Sequence, residues 1–206
     1  MSKYEQKIDK FIFEDIKKWK NIKILEFGVR FGVSTKKFIN LIENNDGHLY
    51  SIDIDDCSKI LSSEKWTFIQ SRDDNFEYIE KKIPENFDVI FLDSFHNANH
   101  VEKIFYRYYQ KLKINGLFFI DDISWIPYVK DGNRNSFNSE INNLETFNRT
   151  LEILRSNTDN IEVYFSFQNS GLVKIIKKSQ NKLNPPKKIL SRSGNLKNFL
   201  RKILLR

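Results

Sequence analysis

Apolar and polar positions follow two rhythms along this chain. Near the N-terminus, Ile8, Phe11, Ile12, Ile16 and Trp19 recur near helical spacing and predict an opening amphipathic helix. Asn21 then precedes a short apolar run, Ile22 to Phe27, which reads as a strand buried on both faces. Ser34 stands where it can cap a helix running through Phe38, Ile39, Leu41 and Ile42. The turn formers Asn45-Asp46-Gly47 lead to a second strand, Leu49 to Ile54. Strand-like runs return at Trp66 to Gln70, Phe87 to Leu92 and Leu117 to Ile120, with helical patterns between them, the clearest from His100 to Leu112. Ser139 to Arg155 predicts one more helix. Ile161 to Phe167 and Leu172 to Ile176 then read as two strands joined by the turn Gln168 to Gly171.

Strands that alternate with helices imply right-handed crossovers and a parallel sheet covered on both faces. A closing hairpin requires one antiparallel strand at the end. The expected fold class is therefore α/β, a Rossmann-like doubly wound sheet of about seven strands, mostly parallel with an antiparallel last strand. At 206 residues the chain is one domain's worth. No internal repeat appears, and Pro185-Pro186 marks the one boundary, which divides a domain over 1–180 from a tail over 181–206.

Charge sharpens that division. The net charge is +7, yet from Lys177 to Arg206 there are ten Lys or Arg residues and no Asp or Glu. The remainder carries 24 basic against 27 acidic residues, so the globular part is slightly acidic. That argues against a nucleic-acid-binding face on the domain and moves the question of partners to the tail. A single cysteine, Cys57, excludes an internal disulfide framework and suits a reducing cytoplasm. The polar, charged N-terminus has no secretory apolar segment, and no apolar run approaches membrane-spanning length. The expected setting is cytoplasmic.

In doubly wound sheets, ligands bind at the carboxyl ends of the strands, near the point where strand order reverses. After the first strand comes Glu26-Phe27-Gly28-Val29-Arg30-Phe31-Gly32. Its glycines permit a tight turn and close backbone approach, and the helix behind it offers free N–H groups to a ligand. Glu26 is suited to hold a cationic amino group. The spacing G-x-x-x-G is not the G-x-G-x-x-G of dinucleotide binders. After the second strand, Asp53 is placed to accept hydrogen bonds from ribose hydroxyls, with Asp55 as the alternative. Each feature alone is compatible with a plain turn or a solvated loop aspartate.

Together, the two sites resemble the fingerprint of class I S-adenosylmethionine (SAM)-dependent methyltransferases, E/D-x-G-x-x-x-G followed by an acidic second-strand end. The resemblance runs from Ile22 to about Lys177. Within that superfamily, Asp88 to His96 is similar to the fourth-strand motif D-x-x-F-I-D-x-x-H of the small O-methyltransferase and cephalosporin-hydroxylase-like group (Methyltransferase 24-like). Asn115 to Asp122 is similar to that group's fifth-strand G-G-x-x-x-x-D-D, with Asn115 in place of the first glycine. Ser71-Arg72-Asp73 departs from the Gly-Asp pair frequent after the third strand. The resemblance implies a class I SAM-dependent O-methyltransferase. Its cofactor set would be Glu26, Gly28, Gly32, Ser34, Asp53, Asp73 and Asp93.

Asp93, Asp121 and Asp122 lie at the ends of adjacent strands in that reading. Three converging carboxylates repel one another unless a cation sits between them. Hard oxygen ligands suit Mg²⁺, with Mn²⁺ or Ca²⁺ as alternatives. In metal-dependent relatives such positions bind a divalent cation that chelates substrate hydroxyls and lowers the pKa of one of them. His96, three residues beyond Asp93, would act as general base, so His96 and Asp93 form the expected catalytic pair. His100, at the start of a helix, reads as an ordinary structural histidine. Trp125, Tyr128 and Phe137 wall the acceptor pocket or simply pack.

In the tail, Leu196, Phe199, Leu200, Ile203 and Leu204 share one helical face, with Lys197, Arg201, Lys202 and Arg206 off it. A basic amphipathic helix of this kind lies on an anionic membrane surface, docks on a partner, or packs on its own chain or a second copy in a homo-oligomer. The expected acceptor is a hydroxylated small molecule or a sugar of a glycoconjugate. The competing reading is a non-catalytic SAM-binding or scaffold protein held to a membrane assembly by the tail.

Overall fold

The computed structural model describes residues 2–192 and 195–204. Helix α1 (Lys3–Ile8) starts with reciprocal capping. The Glu5 amide donates to Ser2 Oγ at 3.1 Å, and the Ser2 amide donates to Glu5 Oε2 at 2.5 Å. The helix continues through a π-helical turn (Asp9–Phe13) into the short α2 (Glu14–Ile16). Ile8, Ile12 and Ile16 of this stretch are fully buried. Each such side chain contributes about 1.5–3 kcal/mol, so the N-terminal helix is firmly seated.

Strand β1 (Ile22–Phe27), helix α3 (Val33–Asn45) and strand β2 (Gly47–Asp53) form the first crossover unit. Then follow β3 (Trp66–Gln70), α4 (Phe76–Glu80), β4 (Phe87–Leu92), α5 (Ala98–Tyr109) and β5 (Leu112–Asp121). A short 3₁₀ turn (Ile126–Tyr128) and α6 (Phe137–Ser156) lead to β6 (Ile161–Ser166) and β7 (Leu172–Lys177), and α7 (Leu196–Leu204) ends the described chain. Asn115 turns within β5 at φ +62, so the residue standing for a glycine takes the left-handed conformation that turn needs.

Among the described residues, seven strands form one sheet in the order β3-β2-β1-β4-β5-β7-β6. β1 through β5 pair parallel, while β7 runs antiparallel to both β5 and β6. This is the mostly parallel doubly wound sheet that the periodicity predicts. Alternate residues of β4 feed two cores. Ile90 and Leu92 join the cluster under α5 and α6, while Val89 and Phe91 join the cluster with Ile8, Ile12 and Phe38 on the other face. Strand order reverses between β1 and β4, and both strands end at one crevice.

The sheet is followed by chain that stays attached to it. Leu183 is buried in the core, Asn184 O accepts from Tyr106 Oη at 2.5 Å, and the Lys187 amide donates to Glu152 O at 3.1 Å. Residues 181–188, read from sequence with the tail, therefore pack on α5 and α6. By contrast, α7 buries no residue. Arg206, assigned to its polar side, lies outside the described residues. Among the described residues no helix is long and apolar enough to cross a membrane.

Candidate active site

The site forms around Gly28, at the reversal point. Its amide donates to Ile52 O at 2.9 Å, and it adopts φ +95. A Cβ there would run into the Asp93 carbonyl at the end of β4. Only glycine lets the β1 loop pass this close to β4. Gly32, at φ +72, caps α3 instead of Ser34.

Ser34 has another task. Its hydroxyl donates to Glu26 Oε1 at 2.5 Å, while Thr35 and Ser51 donate to Glu26 Oε2 at 2.9 and 2.7 Å. Glu26 is wholly buried beneath the loop, so it holds the glycine turn and α3 to β2 from behind. The sequence offers Glu26 to a cofactor amino group; here its oxygens accept from these three hydroxyls. Burial pushes the Glu26 carboxyl up to about 7 despite those donors. The folded state therefore binds this proton more tightly than the unfolded chain. The resulting stabilisation is fully present below about pH 4 and is lost as pH rises to about 7. Glu26→Gln is expected to shrink the loss of unfolding free energy between pH 5 and pH 8 by about 2–3 kcal/mol. Denaturant titrations at both pH values check this, and an unchanged pH dependence in the variant refutes it.

Asp53 ends β2 and reaches back to the loop. Its Oδ2 accepts from the Val29 and Arg30 amides at 2.7 and 2.9 Å, and its Oδ1 from the Asp55 amide at 3.0 Å. Asp53 and Asp55 both face a cavity of about 530 Å³ that also meets Asp73, Phe95 and His100. Asp73 accepts from Ser94 Oγ at 2.5 Å and lies 2.9 Å from His100 Nε2. Thus His100, read from sequence as ordinary, orients an aspartate in this cavity. Its position in the first turn of α5 gave no sign of that.

A second cavity, of about 560 Å³, shares Gly28, Arg30, Asp93 and Ser94 with the first, so the two make one cleft. His96, Asp122, Tyr128 and Arg134 line its far end. His96 Nε2 stands 3.6 Å from Asp93 Oδ1 and 3.5 Å from Asp122 Oδ2. Asp122 is at φ +58, a sparsely populated conformation for a non-glycine residue. Of the three aromatic residues proposed as walls, Tyr128 lines the cavity. Trp125 packs on Phe147 and Phe167, with ring centroids 5.2 and 5.7 Å away, and Phe137 is exposed.

Two side chains from α1 complete the far end. Tyr4 Oη donates to Asp93 Oδ2 at 2.6 Å. Lys7 Nζ, fully buried, donates to Asp121 Oδ1 and to Ser170 Oγ at 2.8 Å. Burial opposes the Lys7 charge, but Asp121, Asp122 and Asp93 outweigh it and raise its pKa. Burial, followed by Asp121 and Asp122, pushes the Asp93 carboxyl well above the usual carboxylate range. Sequence reading missed both α1 residues, although one signal existed. Lys7 falls between Tyr4, Ile8 and Phe11 on the apolar face of its helix, where a lysine needs a partner.

The cleft fits SAM in the chemistry of its lining. It offers two strand-end aspartates for ribose hydroxyls, a glycine that leaves its floor open, and Arg30 at the junction. The acidic cluster fits a divalent ion poorly as arranged. An oxygen of Asp121 is taken by Lys7 and an oxygen of Asp93 by Tyr4. Among the described residues, no three His, Cys, Asp or Glu side chains are grouped to hold a metal.

Residues 25–123 match the family model described as "Methyltransferase domain". A search of curated proteins finds no match. Among solved structures, the MycE methyltransferase of the mycinamycin biosynthetic pathway, in complex with Mg, SAH and mycinamycin VI, aligns with TM-score 0.60 at 19% identity. That alignment covers 84% of this chain and 49% of MycE, so the chain spans about half of that protein's length. A caffeoyl-CoA O-methyltransferase candidate from Staphylococcus aureus aligns with TM-score 0.61 at 21% identity, over 84% of this chain and 80% of its own. The SAH-bound methyltransferase PaMTH1 of Podospora anserina aligns with TM-score 0.60 at 15% identity, over 76% and 72%. At these identities the likeness establishes the fold.

Proposed function

We propose that this chain, whose residues 25–123 match a methyltransferase-domain model, binds SAM and methylates a hydroxyl oxygen of a small hydroxylated molecule or a glycoconjugate sugar. The observation that carries this reading is His96, whose Nε2 stands between the Asp93 and Asp122 carboxylates in the cavity that continues from the glycine loop. Bound SAM would supply an electrophilic methyl group and leave as S-adenosylhomocysteine. His96 takes the hydroxyl proton onto Nε2 as the oxygen attacks, and the neighbouring Asp93 and Asp122 side chains hold the resulting imidazolium. Asp53 holds the ribose, with Asp55 as the alternative, and the Asp73–His100 pair and Phe95 face the adenine end. Tyr128 and Arg134 border the acceptor.

The test is calorimetric titration of SAM into the full chain, with Mg²⁺ and then with EDTA. Micromolar binding supports the reading and justifies an acceptor screen of hydroxylated sugars and catechol-like compounds. No binding under either condition refutes it and leaves the scaffold reading. Divalent-metal assistance through Asp93, Asp121 and Asp122 is the second reading, favoured by the Mg in the MycE complex. It requires binding or turnover that EDTA abolishes.

The tail supports a peripheral contact with an anionic membrane surface. Leu196, Phe199, Leu200, Ile203 and Leu204 of α7 are all exposed, and Lys197, Arg201 and Lys202 carry its charge. Each basic residue near an anionic surface contributes about 1 kcal/mol. The full chain should co-sediment with phosphatidylglycerol vesicles and not with phosphatidylcholine vesicles. Changing all three basic residues to glutamate should abolish the binding. Failure to bind anionic vesicles, or concentration-dependent self-association that buries the helix, overturns this assignment.

A further inference from the structure

We propose that the Lys7 ammonium is the resident cation of the Asp93–Asp121–Asp122 cluster, and that it makes the site independent of a divalent metal. The inference rests on the reading of this cleft as the methyl-transfer site.

Helix α1 is firmly fixed. Beyond its capping box and its buried isoleucines, Asn169 Nδ2 donates to Lys3 O at 2.8 Å. The continuing helix is tied by Lys37 to Asp9 at 2.8 Å and by Lys174 to Asp15 at 2.9 Å. Tyr4 and Lys7 are three residues apart and so project from one side of the helix toward the carboxyl edge of the sheet. Tyr4 reaches Asp93, at the end of β4, and Lys7 reaches Asp121, at the end of β5. The ammonium also passes 5.3 Å from the centroid of the Tyr4 ring.

The ammonium is satisfied as a coordinated ion would be. Its three donors meet Asp121 Oδ1, Ser170 Oγ at 2.8 Å and Gly171 O at 3.4 Å, and Lys7, Asp121 and Ser170 are all buried. Ser170 and Gly171 belong to the turn between β6 and β7. That turn is fixed in place because the Ser124 amide donates to Ser170 O at 2.7 Å. A buried lysine without a counter-charge is strongly unfavourable, as is a cluster of carboxylates without a cation. Each answers the other's need here. A divalent ion entering the same cluster would lose the Asp121 oxygen to Lys7 and would face a fixed positive charge at short range in a poorly screened site. Lys7 acts through the aspartates and is therefore a positioning residue.

The test uses Mn²⁺ as probe, read by the loss of the free-ion electron paramagnetic resonance signal in the full chain. Wild type is expected to bind no Mn²⁺ at this site. Lys7→Ala should gain one equivalent, and Lys7→Ala/Asp121→Asn should bind it at least about tenfold more weakly. Binding of one equivalent by wild type that disappears in Asp121→Asn overturns the proposal. A folded Lys7→Ala protein that gains nothing also overturns it. If Lys7→Ala does not fold, the comparison of wild type with Asp121→Asn decides alone. None of these readouts needs SAM to bind, so the failure of the methyl-transfer reading would be seen separately in the SAM titration.

Discussion

Replacing His96 with alanine is expected to lower the rate of methyl transfer by about 10²–10⁴-fold, the range typical of a lost general base. SAM affinity should be unchanged, because His96 stands beyond the acidic cluster in the cavity away from Asp53 and Asp55. The two effects separate cleanly. A calorimetric dissociation constant reports the cofactor half, and single-turnover methylation of the acceptor found by screening reports the chemical step. An equal loss of both would mean that the substitution disturbs the cleft as a whole. A variant with the wild-type rate would remove His96 from the mechanism.

The second large effect is expected at Asp53. Asp53→Ala removes the proposed acceptor for the ribose hydroxyls and, with it, the carboxylate that the Val29 and Arg30 amides grip. Hydrogen bonds to a charged group are each worth about 1.5–3 kcal/mol, so SAM affinity should fall by about 10²-fold or more. Asp53→Asn keeps one side-chain oxygen for the loop and should lose less. A dissociation constant unchanged in the alanine variant would mean that the ribose binds elsewhere in the cleft, with Asp55 the first alternative. The two variants therefore distinguish a loop latch from a ligand contact.

The fold was legible because continuous apolar runs such as Ile22–Phe27 and Phe87–Leu92 can be satisfied only as strands covered on both sides. The same logic placed acidic residues at strand ends. Asp53 and Asp121 close their strands, Asp93 follows β4 directly, and a parallel sheet collects such ends along one edge. One local expectation failed: Ser34 does not cap α3, because the buried Glu26 takes its hydroxyl. Propensity at a helix start cannot register a partner that arrives from another strand.

The sequence by itself determined the crossover order, the alternation of apolar positions and the placement of acidic residues at strand ends, since these depend on short-range periodicity. Only the tertiary structure decided that β7 lies between β5 and β6, and that Tyr4 and Lys7 lie against Asp93 and Asp121, 89 and 114 residues away along the chain. Periodicity records which side chains leave water. Which charges then meet depends on how helices and strands pack, and in this protein that packing brought a lysine to the carboxylates where sequence reading expected a metal ion.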